Sequence, residues 1–168
     1  MKIILFRGLP GSGKTTMSDF VSKETGVPIL RKDDIYDLLS DFIEDHKIKN
    51  EISYGSLYSI LETNKQTNSV FIVDYPFNKI EHFSIIKDWC KENNVELKSI
   101  LVTCSDEVVW AERFNTRAES PKPNQLLTNF EELKKHYDTM QIKPENGELS
   151  IDTLNSEESL LNMIKSFI

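Results

Sequence analysis

The chain has 168 residues, with 39% hydrophobic and 28% charged, six glycines and six prolines. That is about one domain of ordinary globular composition, which excludes collagen-like, mucin-like and wholly disordered readings. Lys and Arg number 20 against 27 Asp and Glu, a formal charge of −7. An acidic chain is a poor general binder of polyanions, although a loop with a few basic side chains still suffices for a local phosphate site.

Cys90 and Cys104 are too few for a disulfide framework or a Cys-rich zinc site, and both fall in apolar segments, so buried free thiols are expected. The apolar run after Lys2 is too short for a signal-peptide core, and no window approaches the ~20 apolar residues of a membrane span. The expectation is a soluble, cytoplasmic protein.

Ile3-Ile4-Leu5-Phe6 reads as a strand buried on both faces. A Gly/Pro/Ser loop follows, then a helix over 14–24 that Gly26 ends. Residues 28–30 read as a second strand. A helix beginning near Asp33 places Ile35, Leu38, Leu39, Phe42 and Ile43 on one apolar face. Residues 45–50 are polar and read as a loop before a helix over 51–65.

Val70-Phe71-Ile72-Val73-Asp74 is the clearest buried strand. Asn78 and Glu81 have the spacing of a capping box for a helix reaching about residue 92. A fourth strand is expected over 97–104, and Ser105 is placed to cap the next helix. Residues 118–124 form a loop, and Leu126, Leu127, Phe130, Leu133 and Tyr137 mark another helix. Leu149-Ser150-Ile151-Asp152 is a fifth short strand, and Ser156 opens the last helix. Strands alternating with helices predict a parallel sheet covered on both faces. There is no repeat or linker, so residues 1–168 are read as a single domain.

Gly8-Leu9-Pro10-Gly11-Ser12-Gly13-Lys14-Thr15 fits G-x-x-x-x-G-K-[ST] between a predicted strand and a predicted helix. Glycines there turn backbone N–H groups toward a phosphate, and the helix N-terminus adds partial positive charge. A Lys at this position reaches the β- and γ-phosphates, and the Thr15 hydroxyl suits Mg²⁺.

With Thr16 included, this stretch resembles the P-loop kinases of the nucleoside-monophosphate-kinase-like group. Within that group it is similar to the small kinase branch near polynucleotide kinase, zeta toxin and chloramphenicol phosphotransferase. The resemblance implies a three-layer α/β fold with a five-stranded parallel sheet in order 2-3-1-4-5. It also implies ATP and Mg²⁺ as cofactors, with Gly8, Pro10, Gly11, Ser12, Gly13, Lys14, Thr15 and Thr16 cradling the nucleotide.

Arg31-Lys32-Asp33-Asp34 stands where the second strand meets its helix, the edge where parallel sheets bind ligands. A kinase needs a carboxylate there to orient an acceptor hydroxyl and take its proton. Asp33 matches the resembling family's Asp, with Tyr36 where that family often has Arg. Either carboxylate also suits a helix cap, and the sequence leaves Asp33 and Asp34 open. Asp74 ends the third strand, where P-loop proteins place a carboxylate for Mg²⁺ or, in the small-kinase branch, for the acceptor. GTP-binding signatures are missing.

Arg113 and Arg117 are four apart on one helix face. They resemble the R-x-x-x-R before a kinase lid, here residues 117–126, where the first Arg lies on the adenine and the second reaches the transferring phosphate. Residues 34–65 correspond to the acceptor-binding segment. His46, His82 and His136 share no metal-site spacing.

The leading reading is an ATP-dependent kinase acting on a hydroxyl of a small molecule, as monomer or homodimer. The alternatives are a 5′-hydroxyl polynucleotide kinase, disfavoured by the negative charge and the lack of a basic stripe, and a nucleotide-dependent ATPase switch.

Overall fold

The computed structural model describes residues 1–138 and 142–168. Five strands form one all-parallel sheet in the order β2-β3-β1-β4-β5. They are β1 (Lys2–Arg7), β2 (Ile29–Arg31), β3 (Val70–Asp74), β4 (Glu96–Thr103) and β5 (Leu149–Asp152). The helices are α1 (Lys14–Thr25), α2 (Lys32–Leu39), α3 (His46–Asn64), α4 (Ile80–Glu92), α5 (Glu107–Ala118), α6 (Phe130–Asp138) and α7 (Glu157–Phe167). Among the described residues, no helix is long and apolar enough to cross a membrane.

The fold class and strand order are those expected. Strand β1 is central because its apolar run is buried on both faces, and two cores result. Ile3 and Leu5 join Leu57, Leu61, Phe83 and Ile86 on one side. On the other, Ile4 and Phe6 join Met17, Val21, Leu160 and Ile164. This alternation along β1 fixes register, since a one-residue slip would exchange the two faces.

Several local expectations are corrected. Residues 46–50 are helical, because the Asp45 side chain accepts from the Lys47 and Ile48 backbone N–H groups and starts α3 there. Leu38 and Phe42 are exposed, not core: α2 buries the face that carries Lys32 and Tyr36, and it stops at Leu39 before Phe42. Asn78 does not cap α4: Lys79 is the N-cap residue, with no side-chain cap, and Asn78 is turned inward. Asp106, not Ser105, caps α5. Leu126 and Leu127 precede α6, whose first turn is bonded by Asn129 Oδ1. Cys90 is a buried free thiol as expected, but Cys104 is only half-buried.

Gly8 sits where β1 becomes the loop, with φ +144°, and a Cβ there would lie 2.2 Å from the Val102 carbonyl oxygen. The clash is with backbone held in β4, and Gly8 follows directly on β1, so neither can move without disturbing the pairing of the two strands. Gly8→Ala is expected to destabilise the fold by about 3 kcal/mol or more, the upper range for point substitutions. The urea midpoint of this variant checks it, with Gly147→Ala, whose Cβ meets nothing within 4 Å, as the comparison for positive φ alone.

Candidate active site

Because all five strands run parallel, their carboxyl ends lie on one edge of the sheet. The loop 8–13 crosses that edge and ends at Gly13, the N-cap residue of α1, which has φ +97° and provides no side-chain cap. The first backbone N–H groups of α1 therefore lack the partner a Ser or Asp cap would supply. Ser12 Oγ is buried in the loop with no hydrogen-bond partner among the described residues. Unpaired donors converging on a helix N-terminus are the donor set a phosphate requires, so the residues present fit a nucleotide phosphate.

The loop is braced from outside. The Trp110 indole donates to the Pro10 carbonyl at 2.8 Å, and its ring lies against Gly11. Thr153 Oγ1 donates to the Ser12 carbonyl at 2.9 Å and packs beside Gly13. Thus Gly8 and Pro10 shape the loop, while Gly11, Gly13, Lys14, Thr15 and Thr16 line the cleft above it.

That cleft has a volume of about 840 Å³ and runs from the phosphate loop to the start of α2 and the end of α5. Lys14 Nζ donates to the Leu9 carbonyl at 2.9 Å. Burial pushes its pKa down, opposed by the nearby Asp74 and Asp33 carboxylates, while Arg117 adds to the lowering. Lys14, Asp33, Asp74 and Arg117 therefore share one electrostatic neighbourhood, although they come from four different segments.

Asp33 is half-buried on the cleft wall, and Asp34 is the more exposed of the two. Burial raises the Asp33 pKa above the ordinary carboxylate value. Lys32, whose Nζ lies 4.0 Å from Asp33 Oδ1, opposes the rise. Tyr36 does not reach the cleft. It is fully buried, with Lys32 and Lys49 ammonium groups 4.1 and 4.7 Å from its ring centre and its hydroxyl bonded to His46 Nδ1. Tyr75 and Phe77 are likewise core residues, with Tyr54 packed against both.

Asp74 is buried at the end of β3. Its Oδ2 accepts from Ser18 Oγ at 3.1 Å and from Arg31 Nε at 3.0 Å. Arg31 also donates to Asp19 Oδ1 at 2.6 Å. Arg31 and Asp74 are register partners on neighbouring strands, which explains why they meet. Asp74 Oδ1 makes no hydrogen bond within the described residues, and Thr15 is exposed on the cleft. Two oxygen donors beside a phosphate seat suit Mg²⁺, which keeps its other positions for phosphate and water. No group of three His, Cys, Asp or Glu able to hold a metal alone occurs among the described residues.

Arg113 and Arg117 both line the cleft, one turn apart on α5. Arg113 is tied down: Nη1 donates to Thr153 Oγ1 at 2.7 Å and Nη2 to the Thr153 carbonyl at 3.2 Å. Arg117 has no hydrogen bond or ion pair among the described residues. The sequence reading gave no role to Arg31, Thr153, Trp110, Asp37 or Asn124. Each acts through strand register or a long-range contact, and no local motif marks any of them.

A family model described as an AAA domain matches residues 3–140. The chain belongs to this AAA domain family. No curated protein sequence matches significantly. Among solved structures, this family member is similar to a Chloroflexus aurantiacus protein assigned as a kinase, at 17% identity and TM-score 0.80, covering 99% of this chain and 98% of that one. A gluconokinase from Sinorhizobium meliloti 1021 aligns at 16% identity and TM-score 0.67, covering 99% and 90%. Kti12 of Chaetomium thermophilum, in complex with ADP-AlF3, aligns at 12% identity and TM-score 0.70, covering 99% and 98%. At these identities the likeness establishes the shared P-loop fold.

Proposed function

We propose that this protein is a kinase that transfers the γ-phosphoryl group of ATP, with Mg²⁺, to a hydroxyl of a small molecule. The observation that carries this reading is the meeting of Lys14, Asp33 and Arg117, which is unpaired among the described residues, in one cleft. A nucleotide switch needs Lys14 and Thr15 but has no use for a half-buried carboxylate across from them. The gluconokinase likeness is consistent with a small-molecule acceptor, and the charge of −7 weighs against a polynucleotide one.

In this reading the α1 N-terminus, Ser12 and Lys14 hold the phosphates. Thr15 and Asp74 would hold Mg²⁺, which when bound neutralises phosphate charge. Arg31 and Ser18 keep the Asp74 carboxylate in one orientation. Asp33 orients the acceptor hydroxyl and takes its proton. Arg117 stabilises the equatorial oxygens of the transferring group, a task suited to a planar guanidinium. Arg113 sets the edge of the nucleotide side through Thr153, where the adenine would lie.

The test is a screen of small hydroxyl compounds and short oligonucleotides for phosphorylation by γ-labelled ATP. Labelled small molecules are expected. Hydrolysis of ATP with no labelled acceptor would favour the switch, and labelled oligonucleotides alone would favour the polynucleotide kinase. Once an acceptor is in hand, Arg117→Ala should lower kcat by about 10³-fold, as for loss of a cation on the transferring group, with a much smaller change in ATP binding.

A further inference from the structure

Asp37 stands one helical turn after Asp33 on α2 and lines the same cleft. Its carboxylate is filled by one residue of the segment between α5 and α6. Asn124 donates its backbone N–H to Asp37 Oδ1 at 2.9 Å. The Asn124 side-chain Nδ2 lies 2.9 Å from Oδ1 and 2.7 Å from Oδ2. The two residues are 87 apart in sequence.

The rest of that segment bonds to itself, to α5 or, through Asn129, to α6. Lys122 N–H donates to Gln125 Oε1, Gln125 N–H to the Lys122 carbonyl, and Glu119 N–H to the Asn115 carbonyl. Among the described residues, the Asp37–Asn124 pair is thus the hydrogen-bonded bridge from this segment to α2. It joins the two banks of the cleft, with Asp33 and Asp34 on one side and Arg113 and Arg117 on the other.

We propose that Asp37 is a positioning residue that, by latching Asn124, holds the lid against the acceptor helix and so places Arg117 over the phosphate end of the cleft. This rests on the phosphoryl-transfer reading of the site. Three considerations support it. Bonds to an ionised carboxylate are the stronger kind. The backbone N–H of Asn124 follows Pro123, whose fixed φ limits the ways the loop can present it. Arg117 has no bond of its own among the described residues, so its place depends on what holds the chain on either side of it. Without the latch, closed and open lids exchange, and ordering the lid becomes a cost of each turnover.

The Asn124 backbone amide is a direct reporter of the latch and needs no acceptor. In full-length Asp37→Ala, its hydrogen exchange should speed by about tenfold or more while amides of β1 and β3 stay protected. Relaxation of the Arg117 Nε–H group, measured with a non-hydrolysable ATP analogue and Mg²⁺, should report a looser side chain at an unchanged melting temperature. With an identified acceptor, kcat should fall about 10- to 100-fold, the range for a misplaced group, and more than ATP affinity does. Asn124→Asp should behave alike, because two carboxylates then face each other. Adding Asp37→Asn to it restores an amide–carboxylate pair and should recover most of the loss.

Unchanged Asn124 exchange in Asp37→Ala would overturn the latch. Faster exchange with an unaltered Arg117 would overturn its positioning role, as would a double variant no better than Asn124→Asp. If the kinase reading itself fails, the wild type transfers phosphate to nothing, while the amide and Arg117 measurements still decide the latch.

Discussion

Lys14→Ala is expected to remove turnover and to weaken ATP binding by about 1.5–3 kcal/mol, about 10- to 150-fold, the value of hydrogen bonds to a charged group. Among the described cleft residues, Lys14 is the ammonium carried by the phosphate loop itself, whereas Lys122 and Arg117 stand on the far side of the cleft. Arg31 is engaged by Asp74 and Asp19, and Arg113 by Thr153. The same substitution should leave stability unchanged or slightly raised. Burial lowers the Lys14 pKa in the folded state, which means that folding disfavours its charged form. The sign for binding is the reverse. A phosphate needs the ammonium charged, so nucleotide affinity should decline as pH rises through the lowered pKa, at lower pH than an ordinary Lys would impose. Lys14→Arg should shift that decline beyond the accessible range. Isothermal titration with ATP and Mg²⁺ from neutral to alkaline pH checks both statements. Undiminished binding and turnover in Lys14→Ala would remove the loop from the mechanism.

The sheet and the phosphate loop were legible because their signals are local. A continuous apolar run such as Ile3–Phe6 has to be buried on both faces, and a G-x-x-x-x-G-K-T run between strand and helix has one well-known use. The strand order came from the resemblance, and the register confirms it. Helix ends were less legible, because Asn78 and Asp45, or Ser105 and Asp106, are equally good caps in isolation. Asp45 and Asp106 find free backbone N–H groups, whereas Asn78 is pulled inward. Tyr36 stands where the resembling family often has Arg, and the surroundings of that position were not legible: the tertiary structure buries the ring against two lysine side chains. Asp37 and Arg31 were invisible because their partners, Asn124 and Asp74, lie far away in the chain. Only the fold brings them together.

Asp33→Asn should lower kcat by roughly 10²–10⁴, the contribution of a general base, while leaving ATP affinity nearly intact. The amide keeps the size and one acceptor oxygen of the carboxylate but cannot take a proton. Asp34→Asn should be milder, since Asp34 is the more exposed of the pair. The pH dependence separates Asp33 from a merely structural carboxylate. Burial raises its pKa, and Lys32 only partly offsets that rise. A base must be ionised, so the acidic limb of kcat should lie above the ordinary Asp range and vanish in Asp33→Asn. Lys32→Met removes the offsetting cation and should move that limb further up in pH. A raised carboxylate pKa also means that folding disfavours its ionised form, so Asp33→Asn should be as stable as the wild type at neutral pH, or more so. Single-turnover phosphoryl transfer to an identified acceptor, run beside nucleotide titration and thermal melts for each variant, reads all of these effects. Full activity in Asp33→Asn, or an acidic limb that persists in it, would transfer the role of base away from Asp33 and make Asp34 the next carboxylate to test.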